Sequence, residues 1–292
     1  MNSSPLQSYH LPLDLVSALT LLAEHEGSAK IVAGGQSIML LLRQGFLSSE
    51  TFVDISCIPE LSEIATIDEV VYVGAAATYS SLESSPEIQP YSVLTDSLHV
   101  IADPQIRNLG TIGGALGHAD PSLDIVPPLL CLDANVVLKS LDETRIVSLS
   151  NFHQEYMTAD LSKDELIHSV TFNNLPGPHG GAYEKVSNVE GGWPTVGVAA
   201  QVVLDDTLSI ISDVKIALAA VGDTAIRSPC MEKSLIGSVI SMDSISKSSE
   251  LVSQDIDPLD DLSGSAEYKS HLAGVLSKRA LIKAINRAGG SL

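Results

Sequence analysis

The stretch VAGGQSIMLLL, Val32–Leu42, decides how the chain is read. The apolar approach Ile31-Val32-Ala33 meets two glycines, then Gln36-Ser37, then an apolar run. That pattern is a strand passing to a helix through a turn able to accept something close to its backbone. On its own the turn has two readings. One is a plain tight turn. The other is a nest, in which successive N–H groups at a helix start, with the Ser37 hydroxyl, bind phosphate. Working outward, Asp14–Glu26 has apolar residues at Leu15, Ala18, Leu19, Leu22 and Ala23, a helical spacing with Asp14 as its cap. Ala29–Ala33 and Thr51–Ser56 read as strands. The chain therefore opens as β-α-β, with a helix on either side of a short sheet.

A second glycine turn shifts the balance toward a ligand. IRNLGTIGGALGHADPSLD, Ile106–Asp124, holds Gly110, Gly113, Gly114 and Gly117 within eight residues, with Thr111, His118, Asp120 and Asp124 among them. Such density costs backbone entropy and buries little apolar surface, so it points to close approach of backbone to a partner. The spacing is neither GxGxxG nor a Walker A loop, and Lys is missing from it. Two unlike glycine turns in an α+β chain suggest a pyrophosphate held from both sides, and a dinucleotide such as FAD has that length.

Elsewhere Val70–Glu83 reads as strand, turn and helix start, and Tyr91–Ala102 as a helix ending before Pro104. Ala134–Ser140 and Thr144–Phe152 form a hairpin, and Asp164–Phe172 is one more strand. NNLPGPHGG, Asn173–Gly181, is a Pro/Gly-rich boundary. Beyond it, TVGVAAQVVLDD and IISDVKIALAAVG, with helical stretches at Met231–Ile236 and Tyr268–Ala288, suggest an antiparallel sheet with helices on one face. Ser246–Ser265 is acidic and serine-rich and reads as an exposed loop.

The 292 residues carry a formal charge of -20 and are 45% hydrophobic but only 4% aromatic. A core of Leu, Ile, Val and Ala is expected, and nucleic acid and anionic membranes are poor partners for such a surface. A phosphate-bearing cofactor is still compatible, since backbone amides need no Lys or Arg. Cys57, Cys131 and Cys230 are far apart, without CxxC, which suits reduced thiols in the cytoplasm and cannot supply the four ligands of an ordinary iron–sulfur cluster. No signal peptide is read at the N-terminus, and no run reaches the roughly 18 apolar residues of a membrane span.

With these motifs on the page, the chain resembles the medium, FAD-binding subunits of the molybdenum hydroxylases, the family of aerobic carbon monoxide dehydrogenase, xanthine dehydrogenase-like enzymes and the N-heterocycle dehydrogenases. AGGQS (Ala33–Ser37), PQIRNLGTIGG (Pro104–Gly114) and HADPSLD (His118–Asp124) carry the match. IALAAVGDTAIRSP (Ile216–Pro229) and SGSAEYKSHLAGVLSKRAL (Ser263–Leu281) extend it. The resemblance implies an α+β architecture: a PCMH-type FAD-binding domain over 1–175, with subdomains of about 1–58 and 59–175, then a small α+β domain over 180–292 with an antiparallel sheet and helices. It implies that Ala33, Gly34, Gly35, Gln36, Ser37 and Ile38, with Thr111, Gly113 and Gly114, hold the pyrophosphate. It implies Asp124 on the ribose or ribityl hydroxyls, and Ile101, Ala102, Ile167 and Lys185 near the cofactor. Two departures stand out. SNVEGGWPT puts Trp193 in the family's aromatic place and Pro194 after it, and Ala115 replaces a usual Asn or Ser.

The resemblance further implies a small [2Fe–2S] subunit and a large molybdopterin subunit as partners, in a dimer of heterotrimers, with an external electron acceptor. No catalytic residue and no metal ligand is expected in this chain. His118 reads either as a cofactor contact or as a structural hydrogen-bonding residue. The other seven histidines are scattered. Arg107 reads as a structural ion pair, and Trp193 as contact with a flavin, a partner subunit or the surface. Two other functions remain open on sequence: a self-contained flavin oxidase or reductase, and a non-enzymatic nucleotide-binding module.

Overall fold

In a computed structural model the chain is described over residues 8–25, 27–47 and 51–292. β1 (Ser8–His10), α1 (Leu15–Glu24), β2 (Ala29–Val32), α2 (Ile38–Gln44) and β3 (Thr51–Asp54) form a parallel sheet of order β1-β3-β2. Parallel neighbours need crossovers, and the two helices supply them. The Asp14 carboxylate caps α1 by accepting from the Ser17 amide at 2.9 Å. Leu15, Ala18, Leu19 and Leu22 bury one stripe in a cluster with Val53, Ile55 and Ile58. The strand β1 is not legible in sequence, because three residues are too short to show alternation. The helix α2, despite its apolar run IMLLLRQ, has no buried residue.

The middle layer is built from β4 (Ile64–Ile67), β5 (Val70–Gly74), α3 (Tyr79–Ser84), α4 (Ser92–Val100), α5 (Pro104–Arg107), α6 (Ile112–His118) and α7 (Val126–Cys131). It continues through β6 (Asn135–Lys139), β7 (Thr144–Ser148), α8 (Leu149–Phe152), β8 (His153–Glu155), β9 (Thr158–Ala159) and β10 (Leu166–Asn173). Its antiparallel sheet runs β4-β5-β10-β6-β7. The hairpin strand expected to reach Phe152 stops at Ser148. Leu149 and Phe152, three apart, turn together into the core as one helical turn.

The C-terminal part holds β11 (His179–Ser187), β12 (Pro194–Leu204), β13 (Ile211–Ala219), β14 (Ile226–Arg227), α9 (Pro229–Leu235), α10 (Met242–Glu250) and α11 (Ala266–Arg287), with the sheet in sequence order and antiparallel. Every residue of β12 is buried. Its Val196, Val198, Ala200 and Val202 share a core with Leu272, Leu276 and Leu281 of α11, whereas Ala199 joins the middle-layer core with Leu129 of α7. A strand covered on both faces reads as a continuous apolar run, as this one does. The segment Ser246–Ser265 departs from the loop expected. The helix α10 runs to Glu250 and a 3-10 turn spans Leu251–Gln254. Ile245, Ser248 and Val252, spaced three and four apart, are buried, and the serines mask that stripe in the sequence. The Pro/Gly boundary is also shorter than read, since β10 ends at Asn173 and β11 begins at His179.

Candidate functional site

The two glycine turns touch. A Cβ on Gly34 would lie 1.8 Å from the Leu109 carbonyl oxygen and 2.9 Å from Gly110 Cα, so this glycine lets the end of β2 press against the second loop. Gly113 is likewise a packing glycine, its Cβ position being 2.5 Å from Ala75 Cβ. Gly35 has a different reason: its φ of +70° is left-handed, and it turns the chain into α2.

Between the two turns, and rimmed by the Gly191–Trp193 loop, lies a cleft of about 670 Å³. Ala33, Gly34, Gly35, Gln36, Ser37, Ile38, Ile101, Ala102, Thr111, Gly113, Gly114, His118, Asp124, Ile167 and Trp193 all line it. Lys185 is the one expected residue that does not, and stands behind Asp124. The cleft also draws in Tyr79, Lys163 and Glu165, which no local motif marks. Those residues arrive through tertiary packing, so spacing along the chain does not reveal them.

The two turns offer different surfaces. The amides of Gly34, Gly35, Gln36, Ser37 and Ile38 have no hydrogen-bond acceptor among the described residues, and the Ser37 hydroxyl caps nothing. Five successive free donors in one turn make an anion-binding concavity. In the second loop the amides are used. Ile112 N donates to Ala77 O at 3.1 Å, Gly113 N to Ala75 O at 2.9 Å, and Gly114 N to Thr111 Oγ1 at 3.1 Å. What this loop presents is an open face: a Cβ on Gly114 would meet only Thr111 Oγ1, and one on Gly117 only Ile167 Cδ1. Gly114, Gly117 and His118 share the exposed side of α6.

Asp124 is buried, and both its oxygens are engaged. Tyr183 Oη donates to Oδ1 at 2.7 Å and Lys185 Nζ to Oδ2 at 2.9 Å. Lys185 also donates to Val100 O at 3.0 Å. Burial pushes the Asp124 carboxyl up, against the opposing pull of Lys185 and Tyr183. A carboxylate has about four acceptor sites, so two bonds leave capacity for a hydroxyl in the cleft. The His118 ring has no hydrogen-bond partner among the described residues, and burial pushes its imidazole down despite Asp120.

The rim is a strained corner. Ala102 has φ +46°, and a Cβ on Gly191 would stand 2.7 Å from Ala102 O, so the Gly191-Gly192-Trp193 loop rests on it. Arg107 Nη1 donates to Ile101 O at 3.0 Å and to Ala102 O at 3.4 Å, while its Nε pairs with Glu83 at 3.6 Å. Trp193 is 56% exposed yet lines the cleft, so its ring can meet both solvent and whatever the cleft holds. Among the described residues there is no cluster of three or more His, Cys, Asp or Glu able to hold a metal, and no helix is long and apolar enough to cross a membrane.

A free-amide nest, a backbone face without side chains and a carboxylate for hydroxyls define a dinucleotide-binding protein. Two family models together span most of the chain. The FAD binding domain in molybdopterin dehydrogenase matches residues 4–174, and the CO dehydrogenase flavoprotein C-terminal domain matches 181–284. The chain belongs to the FAD-binding subunits of the molybdenum hydroxylases, and is an oxidoreductase component with FAD as its cofactor. It is 35% identical to the 6-hydroxypseudooxynicotine dehydrogenase complex subunit alpha of Paenarthrobacter nicotinovorans, over 93% of this chain and 92% of that one. It is 33% identical to the carbon monoxide dehydrogenase medium chain of Hydrogenophaga pseudoflava, over 95% and 96%. The solved carbon monoxide dehydrogenase from that organism superposes with a TM-score of 0.93 at 32% identity, covering 97% of this chain and 98% of that one. Quinoline 2-oxidoreductase from Pseudomonas putida 86 superposes at 0.91 with 27% identity, covering 99% of each.

Proposed function

We propose that this chain is the electron-relaying medium subunit of a cytoplasmic molybdenum hydroxylase, taking electrons from the [2Fe–2S] clusters of a small partner and passing them to an external acceptor. A large molybdopterin subunit oxidises the organic substrate, and the assembly is a dimer of heterotrimers. The observation that carries the cofactor assignment is the run of free amides from Gly34 to Ile38 on the cleft wall. Relatives named as medium chains and as a complex subunit support the division of labour.

The residues fit FAD. The first turn holds the pyrophosphate on its amides, and the second gives a wall without Cβ atoms at Gly114 and Gly117. Asp124, fixed by Lys185 and Tyr183, accepts from the sugar or ribityl hydroxyls. Ile101, Ala102 and Ile167 supply apolar contact, and Trp193 covers the solvent side. FAD when bound supplies redox chemistry that couples one-electron carriers to two-electron acceptors. The protein's own part is to bind, orient and shield, and no side chain here acts as nucleophile or general base. We take 1–175 as the cofactor domain, with subdomains of about 1–58 and 59–175, and 180–292 as the domain that closes the cleft's rim through Gly191–Trp193.

The test is reconstitution. Substrate-dependent reduction of the bound flavin should require both the iron–sulfur and the molybdenum subunits. Reduction of the isolated chain's flavin by an organic substrate, without partners, would overturn the relay and favour a self-contained enzyme.

A further inference from the structure

Two buried tyrosines feel the Asp124 charge, and they differ in one respect. Tyr183 spends its hydroxyl on Asp124 Oδ1 at 2.7 Å. Tyr79, the first residue of α3, is 7% exposed and lines the cleft, but its hydroxyl has no hydrogen-bond partner among the described residues. The oxygen is not sealed inside protein. The fully buried side-chain atoms without a hydrogen-bond partner among the described residues are His10 Nε2, Arg107 Nε, Gln201 Oε1 and Ser277 Oγ, and Tyr79 Oη is not among them. A phenol buried this deeply normally finds a partner, because a desolvated donor left without one is costly.

The backbone fixes where this hydroxyl can act. Tyr79 N donates to Gly110 O at 3.0 Å, and a Cβ on Gly110 would lie 3.1 Å from the Tyr79 ring. Gly110 in turn abuts Gly34, whose Cβ position is 2.9 Å from Gly110 Cα. The ring therefore packs on Gly110, which itself abuts Gly34 at the start of the nest, and lines the same cleft as Asp124. Burial, and then the Asp124 charge, push the Tyr79 phenol above its ordinary value, so it keeps its proton and acts as a donor.

Resting on the FAD reading above, we propose that Tyr79 is a further cofactor-binding residue, its hydroxyl donating to an acceptor oxygen of the pyrophosphate–ribityl portion of FAD in the cleft between Gly34 and Asp124. Asp124 accepts from the cofactor's hydroxyls and Tyr79 donates to its oxygens, so the pair reads both polarities of that portion. Neither glycine motif includes Tyr79, and residues 70–83 carry no local sign of a ligand.

The experiment is titration of flavin-free full-length chain with FAD, for wild type and Tyr79→Phe, followed by flavin fluorescence, with the melting temperature of each flavin-free protein recorded. The substitution removes one oxygen and keeps the ring against Gly110, so the fold is retained. The expected result is an FAD dissociation constant about tenfold higher in the variant, as loss of one buried hydrogen bond implies, with the flavin-free melting temperature equal to or above wild type. Equal dissociation constants within twofold overturn the role of Tyr79 while leaving the FAD assignment intact. A wild-type chain that does not bind FAD overturns both. A Tyr79→Phe protein that melts well below wild type marks the hydroxyl as structural and also overturns the proposal.

Discussion

The buried pair Asp124–Lys185 ties the loop after the second glycine turn to β11, and its removal has a calculable consequence. Both side chains are nearly sealed, at 7% and 6% exposure, and the contact is 2.9 Å. Lys185→Met leaves the Asp124 carboxylate with only Tyr183 as a polar partner. Breaking a buried ion pair from one side costs about 3–5 kcal/mol, because the remaining charge stays desolvated. At about 2–4 °C per kcal/mol for a chain of this size, the melting temperature should fall by roughly 10 °C. Adding Asp124→Asn should recover part of that loss, with a coupling of at least about 1 kcal/mol in the double-mutant cycle. The pH dependence follows from the sign of the shift. Burial already raises the Asp124 pKa, and losing Lys185 raises it further. In the variant the folded state then binds more protons than the unfolded state above about pH 3.9. Its stability should therefore be highest in acid and decline as pH rises through the raised pKa. Thermal unfolding of the flavin-free proteins across pH measures all of this. A loss below about 1 kcal/mol in Lys185→Met, or strict additivity in the double variant, would refute the reasoning.

Three further outcomes are expected. Gly34→Ala should destabilise the fold itself, because its Cβ would sit 1.8 Å from a backbone oxygen, whereas Gly114→Val should fold and lose flavin, its Cβ position being open apart from Thr111 Oγ1; melting curves and flavin-to-protein ratios separate the two. Trp193→Ala should raise flavin emission and weaken FAD binding by on the order of 1 kcal/mol with the fold intact, since the ring lines the cleft while 56% exposed. Glu165 bonds Arg145 at 2.6 Å, and that bond holds its carboxyl below the ordinary glutamate range despite burial. A lowered carboxylate pKa contributes stability above about pH 4.3 that is lost as pH falls through the folded value, so Glu165→Gln should flatten the acid limb of the stability profile.

Much of the site was legible because glycine carries its reason locally. AGGQS and TIGG announce turns whose backbone something approaches, and fifteen of the sixteen expected contacts do line one cleft. The division between the turns was not legible. Whether an amide is free depends on Ala75 and Ala77, more than thirty residues upstream of the second loop. Lys185 was expected at the cofactor and stands behind Asp124, because a lysine's reach is set by the strand it leaves. The helix after Ser241 was hidden by serines on a stripe that packing, not propensity, makes apolar enough. The apolar run IMLLLRQ of α2 has no buried residue, and its Ile38, Leu40 and Leu41 line the cleft.

The central claim is that the free amides of Gly34–Ile38 make this cleft an FAD site in a chain that carries no other redox centre. The flavin-to-protein ratio of the purified chain, measured with its iron and molybdenum content after saturation with FAD and gel filtration, tests it most directly. The account predicts one FAD per chain with neither metal. A chain that retains no flavin, or that holds stoichiometric iron or molybdenum of its own, would contradict it.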